Sequence, residues 1–257
     1  EITLPTGIDN DGKERTAVCC LSSLNLDTYD QWKDNDQFVE DVMRFLDNVM
    51  TDFINRAPDE FAHAKYSAMR ERSVGLGVMG LHSYFQQKNI PFGSVMSKVW
   101  NKKIFKNIQE KVDAASVSLA KERGACPDAA EYGIKERFSK KTAIAPTASI
   151  SIICGGSSPG IEPVAANSYT HKTLSGSFNV RNKYLKKILQ KHQKDTDDVW
   201  STITTNQGSV AHLDFLTAEE KDTFKTAFEI DQRWIVELGA DRTPFISQAQ
   251  SINIFIP

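Results

Sequence analysis

Apolar residues recur at three- and four-residue steps from Asp36 to Arg56, through Phe38, Val39, Val42, Phe45, Leu46, Val49, Met50 and Phe53. That spacing lines one side of a helix and predicts an amphipathic helix over the whole stretch. Ser97 to Arg123 predicts a second, longer helix with Gly124 as its stop. Thr217 to Leu238 predicts a third, opened by a capping box in which Thr217 caps and Glu220 follows three residues on. Tyr184 to His192 and Asp197 to Thr205 predict shorter ones. Between the helices lie short apolar runs expected as strands: Glu1 to Leu4, Thr16 to Leu21, Thr142 to Ala145 and Ile252 to Ile256, with strand and turn over Asn167 to Asn179. Gly7 to Arg15 reads as a polar turn, and Ser22 to Leu26 leads away from its strand. Short buried strands separated by long helices predict an α/β fold with largely parallel strands. No internal repeat, low-complexity tract, linker or domain boundary interrupts the pattern.

Two stretches break the periodicity. Arg72 to Phe85 carries Gly75-x-Gly77-x-x-Gly80, the spacing of a dinucleotide fingerprint. No β-branched strand precedes it and no acidic residue follows at the required distance, so close helix packing is the expected use of these glycines. The second stretch is Lys141 to Pro163. Pro146 ends a short strand there, and Thr147-Ala-Ser149 follows as at a helix start. Free backbone N–H groups at such a start form a natural seat for a phosphate. The same residues also fit an ordinary Ser/Thr cap, and local sequence leaves both readings open.

Composition narrows the classes. The 257 residues can bury one large core, and a net charge of −2 gives no global pull toward nucleic acid or membrane. No apolar run is long enough to cross a bilayer, and no leader pattern stands at the start. Four cysteines suggest no disulfide framework, so a reducing cytoplasm is the expected compartment. Residue 1 is Glu and already strand-like, and the last residues are equally abrupt, so a piece of a longer or split polypeptide is expected.

Candidate chemistry is sparse. Cys19 and Cys20 are neighbours on a predicted strand, so one alone can face a given side. Buried cysteines usually pack as small apolar groups, and the pair is not a CxxC redox or metal motif. Cys126 follows a helix stop and reads as structural, and Cys154 receives no role. No Cys/His spacing resembles a metal site, and no histidine stands in a nucleophile motif. Glu162, fixed in extended backbone by Pro163, reads as a positioned polar group or a plain turn residue. Pattern alone gives Glu1 no role.

Nine stretches in order resemble the large (catalytic) subunit of class I ribonucleotide reductases, in its C-terminal half. They are Glu1-Ile-x-Leu-Pro5, Cys19-x-Leu-Ser-x-x-Asn-Leu26, Arg72-Ser-Val-Gly-Leu-Gly-Val-Met-Gly80, Lys121-Glu-Arg-Gly-Ala-Cys-Pro127, Ala145-Pro-Thr-Ala-Ser149, Gly160-Ile-Glu-Pro163, Leu174-Ser-Gly-Ser-Phe178, Ala211-His-Leu-Asp-Phe-Leu216 and Phe228-Glu-Ile-Asp-Gln-Arg-Trp234. The resemblance implies part of a ten-stranded α/β barrel built from two parallel five-stranded halves, with long flanking helices. Residues 1–257 would form a single incomplete domain of it, without an ATP cone or a C-terminal cysteine tail. It implies reduction of ribonucleoside diphosphates by thiyl-radical chemistry, with Glu1 as general base and Cys19 as one member of the reducing dithiol. The radical cysteine, in an Asn-Leu-Cys-x-Glu motif, and the partner of Cys19 would both lie ahead of Glu1.

Pro146, Thr147, Ala148, Ser149 and Ile150 would hold the substrate diphosphate, mainly through backbone N–H groups and the Ser149 hydroxyl. Some family members carry Thr where Ile150 stands, so one hydroxyl contact would be missing. The resemblance implies no metal or cofactor on this chain. It implies a di-iron or manganese, tyrosyl-radical cofactor in a small-subunit partner, ATP and dNTP effectors on the missing half, thioredoxin or glutaredoxin as reductant, and a large-subunit dimer. The chain alone is expected to be inactive without the remaining large-subunit pieces, which a split gene, intein excision or a trimmed chain could separate from it. Two alternatives stand beside this reading: an adenosylcobalamin-dependent reductase, and a non-catalytic binding or scaffold remnant.

Overall fold

The computed structural model describes residues 1–174 and 176–256, so Ser175 of the Leu174-to-Phe178 stretch and Pro257 lie outside the described residues. The fold is α/β. Its strands are β1 (Gly7–Ile8), β2 (Glu14–Arg15), β3 (Leu21–Asn25), β4 (Gly75–Met79), β5 (Ser168–Thr173) and β6 (Gly176–Arg181). The helices are α1 (Tyr29–Trp32), α2 (Asp36–Arg56), α3 (Ala62–Glu71), α4 (Leu81–Gln87), α5 (Val95–Arg123), α6 (Pro127–Glu131), α7 (Ile150–Ile153), α8 (Lys183–Lys191), α9 (Asp197–Thr205), α10 (Ala218–Thr223) and α11 (Arg233–Arg242).

The helix α2 spans the predicted residues. Asn35 caps it by accepting the Phe38 N–H, and Val39, Met43, Leu46 and Met50 are buried beneath it. Ser94 and Ser97 form a capping box at the start of α5, two residues ahead of the expected start, and Gly124 ends the helix at φ +87°. The Thr217–Glu220 box is also present, but the helix it opens stops at Thr223. The single helix expected to Leu238 is broken. The Ala227 N–H donates to the Val164 carbonyl, and Gln232 Nε2 donates to the carbonyls of Ala227 and Ile230. One bond to a distant segment and two local side-chain bonds thus stand where the helical ladder would run, until α11 begins.

The strands correct three expectations. Pairing begins at Leu21 rather than Thr16, and β3 runs through the residues expected to lead away. The glycine-rich stretch is a strand, β4, parallel to β3 from Leu21↔Gly75 to Asn25↔Met79. Its glycines do serve close packing, but within the sheet. A Cβ on Gly77 would stand 2.3 Å from the Ala143 carbonyl oxygen, and one on Gly75 2.3 Å from Leu21 Cδ2. Ile252 to Ile256 forms no strand: the Phe255 N–H donates to a side chain, Gln232 Oε1, and the Asn253 side chain is drawn to Glu162 Oε1.

Two parallel bridges, Leu76↔Thr142 and Ile144↔Gln250, carry the β3–β4 pair onward. The Ala249 N–H donates to the Glu1 carbonyl at 3.0 Å, so the first residues lie along the far side of the 248–251 segment. Ser247 Oγ accepts from the Lys141 and Thr142 N–H groups and fastens the same two segments together. The other two sheets, β1–β2 and β5–β6, are antiparallel hairpins. The main core lies between this row and the helices α2, α4, α5 and α11, and a smaller core joins α8, α9 and residues Val210, Leu213, Leu216 and Phe224 on either side of α10. Among the described residues, no helix is long and apolar enough to cross a membrane.

Candidate active site

The parallel row positions the residues singled out by sequence. Cys19 and Cys20 stand immediately before β3, and the Cys20 carbonyl accepts the Gly75 N–H. Cys20 packs against the main core, whereas the Cys19 side chain is exposed. Partial burial pushes the Cys19 thiol up from its ordinary pKa, and the Glu1 carboxylate pushes it further. Glu1 therefore lies within electrostatic reach of Cys19, although no hydrogen bond joins them among the described residues. A thiol held protonated keeps the hydrogen that a reduction consumes.

The loop after the 142–145 segment takes an unusual path. Thr147 has φ +53°, a left-handed conformation that costs a β-branched residue strain. What holds it is a buried bond: Gly160 N–H donates to Thr147 Oγ1 at 2.7 Å. Ser149 occupies the N-cap position of α7 but makes no capping bond, so the ordinary-cap reading fails here. Instead Ala148, Ser149 and Ile150 are exposed, and the N–H groups of Thr147 to Ile150 donate no hydrogen bond among the described residues. Ser151 N–H, by contrast, returns to the Thr147 carbonyl at 3.0 Å. Pro146, half-buried, has no N–H to give and ends the strand. Four consecutive free amides are a hydrogen-bonding surface for an acceptor-rich group such as a phosphate. The one-turn length of α7 leaves its dipole little to add.

Behind this loop runs the Gly160-to-Pro163 turn. Glu162 is buried, and burial raises its pKa against the lowering effect of its bond from Asn253 Nδ2 at 2.6 Å. It is a positioned polar group rather than a plain turn residue. His82 fixes the far end of the turn: its Nδ1 accepts the Val164 N–H at 3.0 Å. Complete burial, only partly offset by the Thr223 backbone, takes that imidazole down to about 3 and keeps it neutral. Sequence reading gave no role to His82, Asn253 or the Thr147–Gly160 bond, because each partner lies far away along the chain. Among the described residues, no cluster of three or more His, Cys, Asp or Glu side chains could hold a metal ion.

Changing Thr147 to Val removes the acceptor for a buried N–H and keeps the shape. The expected cost is about 1–3 kcal/mol. It is read as a lower urea midpoint, with Thr147→Ser restoring most of the loss; an unchanged midpoint in the Val variant would show that the bond does not hold the loop.

Comparison with known proteins places the chain. The family model described as "Ribonucleotide reductase, barrel domain" matches residues 1–136 and 127–257. The chain is 49% identical over 260 aligned residues to the ribonucleoside-diphosphate reductase large subunit of Invertebrate iridescent virus 6, covering 100% of this chain and 26% of that one. It is 46% identical to the large subunit of Invertebrate iridescent virus 3, covering 99% of this chain and 40% of that one. Among solved structures, it is similar to the Actinobacillus ureae class Id ribonucleotide reductase alpha subunit, with TM-score 0.86 and 42% identity, over 93% of this chain and 44% of that chain. The chain thus spans less than half the length of these relatives.

Proposed function

Because this chain belongs to the ribonucleotide reductase barrel-domain family, we propose that it is part of the catalytic subunit of a ribonucleoside-diphosphate reductase, reducing ribonucleoside diphosphates to deoxyribonucleoside diphosphates. What supports this reading most is the run of four free amides from Thr147 to Ile150, which follows the 142–145 segment of the same parallel row that carries Cys19 immediately ahead of β3. In this reading residues 1–257 are one incomplete barrel domain. The row from β3 through the 248–251 segment belongs to one half of a ten-stranded barrel, and the other half, an ATP cone and a cysteine tail belong to the remainder of the subunit.

The roles follow from the groups present. The amides of Thr147, Ala148, Ser149 and Ile150 bind the diphosphate oxygens, with the Ser149 hydroxyl beside them and Pro146 setting the turn. This fixes the ribose at its charged end, so that one carbon–hydrogen bond meets the reacting group. A cysteine ahead of Glu1 supplies the thiyl radical that takes the 3′-hydrogen. Glu1 then accepts the proton of the 3′-hydroxyl as the 2′-hydroxyl leaves as water. Cys19 and a second cysteine supply two electrons and two hydrogens, one departing with the 2′-hydroxyl as water and one going to C2′, and close a disulfide that thioredoxin or glutaredoxin reopens. Glu1 then gives back its proton, and the first cysteine returns the 3′-hydrogen. The radical originates on a small-subunit partner carrying a di-iron or manganese site and a tyrosyl radical. ATP and dNTP effectors act on the remainder of a dimeric large subunit, in the cytoplasm.

The test is reconstitution. The chain is assembled with the missing portions and small subunit, and CDP reduction is followed with dithiothreitol or thioredoxin as electron source. Cys19→Ser should reduce deoxynucleotide formation by at least about 100-fold, because the dithiol can no longer close. Full turnover in that variant would remove Cys19 from the reaction, and absence of reduction in every reconstitution would favour a non-catalytic remnant.

A further inference from the structure

A cavity of about 370 Å³ opens between the 156–159 turn, the end of β6 and the starts of α4 and α8. Its walls include Ile152, Pro159, Val164 and Val180. Three buried polar groups of its lining, Ser83, Ser158 and Gln86, are left with unused donors. Ser83 and Ser158, 4% and 1% exposed, bond reciprocally: Ser158 N–H donates to Ser83 Oγ at 2.8 Å and Ser83 N–H to Ser158 Oγ at 3.1 Å. Each hydroxyl oxygen therefore already accepts, and each keeps its own proton to donate. Neither donates to any acceptor among the described residues.

Gln86 is the third member. It is 2% exposed and lines the cavity, and its Nε2 has no hydrogen-bond partner. The orientation of this amide is fixed by its neighbours. Asn167 Nδ2 donates to the Gly208 and Phe224 carbonyls, which turns Asn167 Oδ1 toward Asn182 Nδ2. Asn182 Oδ1 in turn accepts the Tyr184 and Leu185 N–H groups. Asn182 Nδ2 must then meet Gln86 through its oxygen, at 2.9 Å, which leaves the Gln86 NH₂ without a partner. An unpaired buried amide costs about 1–3 kcal/mol, and two hydroxyl protons beside it deepen the mismatch.

We propose that this cavity is a binding site for a small, largely apolar molecule carrying a carbonyl oxygen, received by Gln86 Nε2 with the Ser83 and Ser158 hydroxyls. Apolar walls favour a ring or branched hydrocarbon body, and a polar lining of donors favours a group that accepts without donating. A neutral carbonyl suits it better than a carboxylate. The rim cations are already engaged, Arg181 by Asp197 and Lys183 by Asp27, and Gln86, Ser83 and Ser158 are uncharged, so no free counter-charge would offset the burial of an anion.

The test uses 4′-fluoroacetophenone against 1-ethyl-4-fluorobenzene, which has a similar outline without the carbonyl. Binding to the chain is read from fluorine NMR line widths. The ketone should bind in the millimolar range or tighter, and at least ten-fold more tightly than the hydrocarbon. Gln86→Met should remove most of that preference, and Val180→Trp, which fills the cavity from its wall, should abolish binding of both probes. Near-UV circular dichroism establishes that each variant is folded. Equal binding of the two probes by the native chain, no ketone binding at 10 mM concentration (about the weakest useful affinity), or unchanged ketone binding in Val180→Trp would overturn the proposal. If Gln86→Met does not fold, the comparison of probes on the native chain and on Val180→Trp still decides.

Discussion

Replacing Glu1 by Gln in the completed reductase is expected to lower kcat by roughly 10²–10⁴-fold while leaving the KM for CDP within a few-fold, the range that a positioned general base contributes. The split follows from geometry. Diphosphate binding is assigned to amides 147–150, to which Glu1 makes no hydrogen bond among the described residues, so ground-state binding should survive its loss. The same substitution has a second readout on this chain alone. The Glu1 carboxylate raises the pKa of the Cys19 thiol, so removing its charge should move Cys19 alkylation by iodoacetamide to lower pH. Peptide mass mapping separates Cys19 from Cys154, the other exposed cysteine. The two readouts are independent: an unchanged alkylation profile would remove the Glu1–Cys19 coupling, and an unchanged kcat would remove Glu1 from the chemistry.

The candidate site was more legible in the sequence than the sheet that carries it. Motif order singled out Glu1, Cys19 and 146–150, and the structure places Glu1 within electrostatic reach of Cys19 and leaves the loop amides free. Periodicity found α2 because its buried face repeats over about three turns, from Val39 to Met50, although Phe38, Phe45 and Val49 of the predicted stripe are exposed, and it found the caps because they are local. It missed β4, because a strand rich in glycine has little β propensity and is set by crowding from Leu21 and Ala143. It ran α10 and α11 together because one of the interrupting bonds, from Ala227 to Val164, comes from a residue distant along the chain. The expectation of largely parallel strands holds for β3–β4 and the single bridges that continue it, whereas β1–β2 and β5–β6 pair antiparallel. Isolated side-chain bonds such as Ser247 to Thr142 and Gln248 Nε2 to the Val74 carbonyl do part of the joining that a ladder would do.

The largest stability effect is expected at Asp47, which the helical pattern gives no hint of. It lies on α2 with its side chain 0% exposed, and three guanidinium groups converge on it. Arg72 Nε and Arg137 Nε donate to Oδ1 at 2.8 and 2.9 Å, and Arg123 Nη1 donates to Oδ2 at 2.8 Å. These arginines come from the end of α3, the end of α5 and the segment before the third row strand, so one carboxylate joins α2 to three other parts of the fold. Asp47→Asn keeps the volume but leaves buried and partly buried positive charges without a counter-charge. A loss of about 3–5 kcal/mol is expected, a large share of a typical folding free energy. The urea midpoint should fall by about 1–2 M on an m-value of roughly 2–3 kcal/mol/M. Changing Arg72 to Leu in the Asn background should recover part of the loss, because the most deeply buried of the three cations is then gone. The pH dependence has a definite sign. Burial works to raise the Asp47 pKa, but the hydrogen bonds of Arg137 and Arg123 outweigh it and hold the carboxyl below its ordinary range. Its contribution is therefore complete above the unfolded carboxylate pKa of about 3.9 and is lost as pH falls through the lower folded value. The native chain should lose stability across that acid window more steeply than Asp47→Asn. Parallel acid titrations of the two proteins would show the ion cluster to be unimportant.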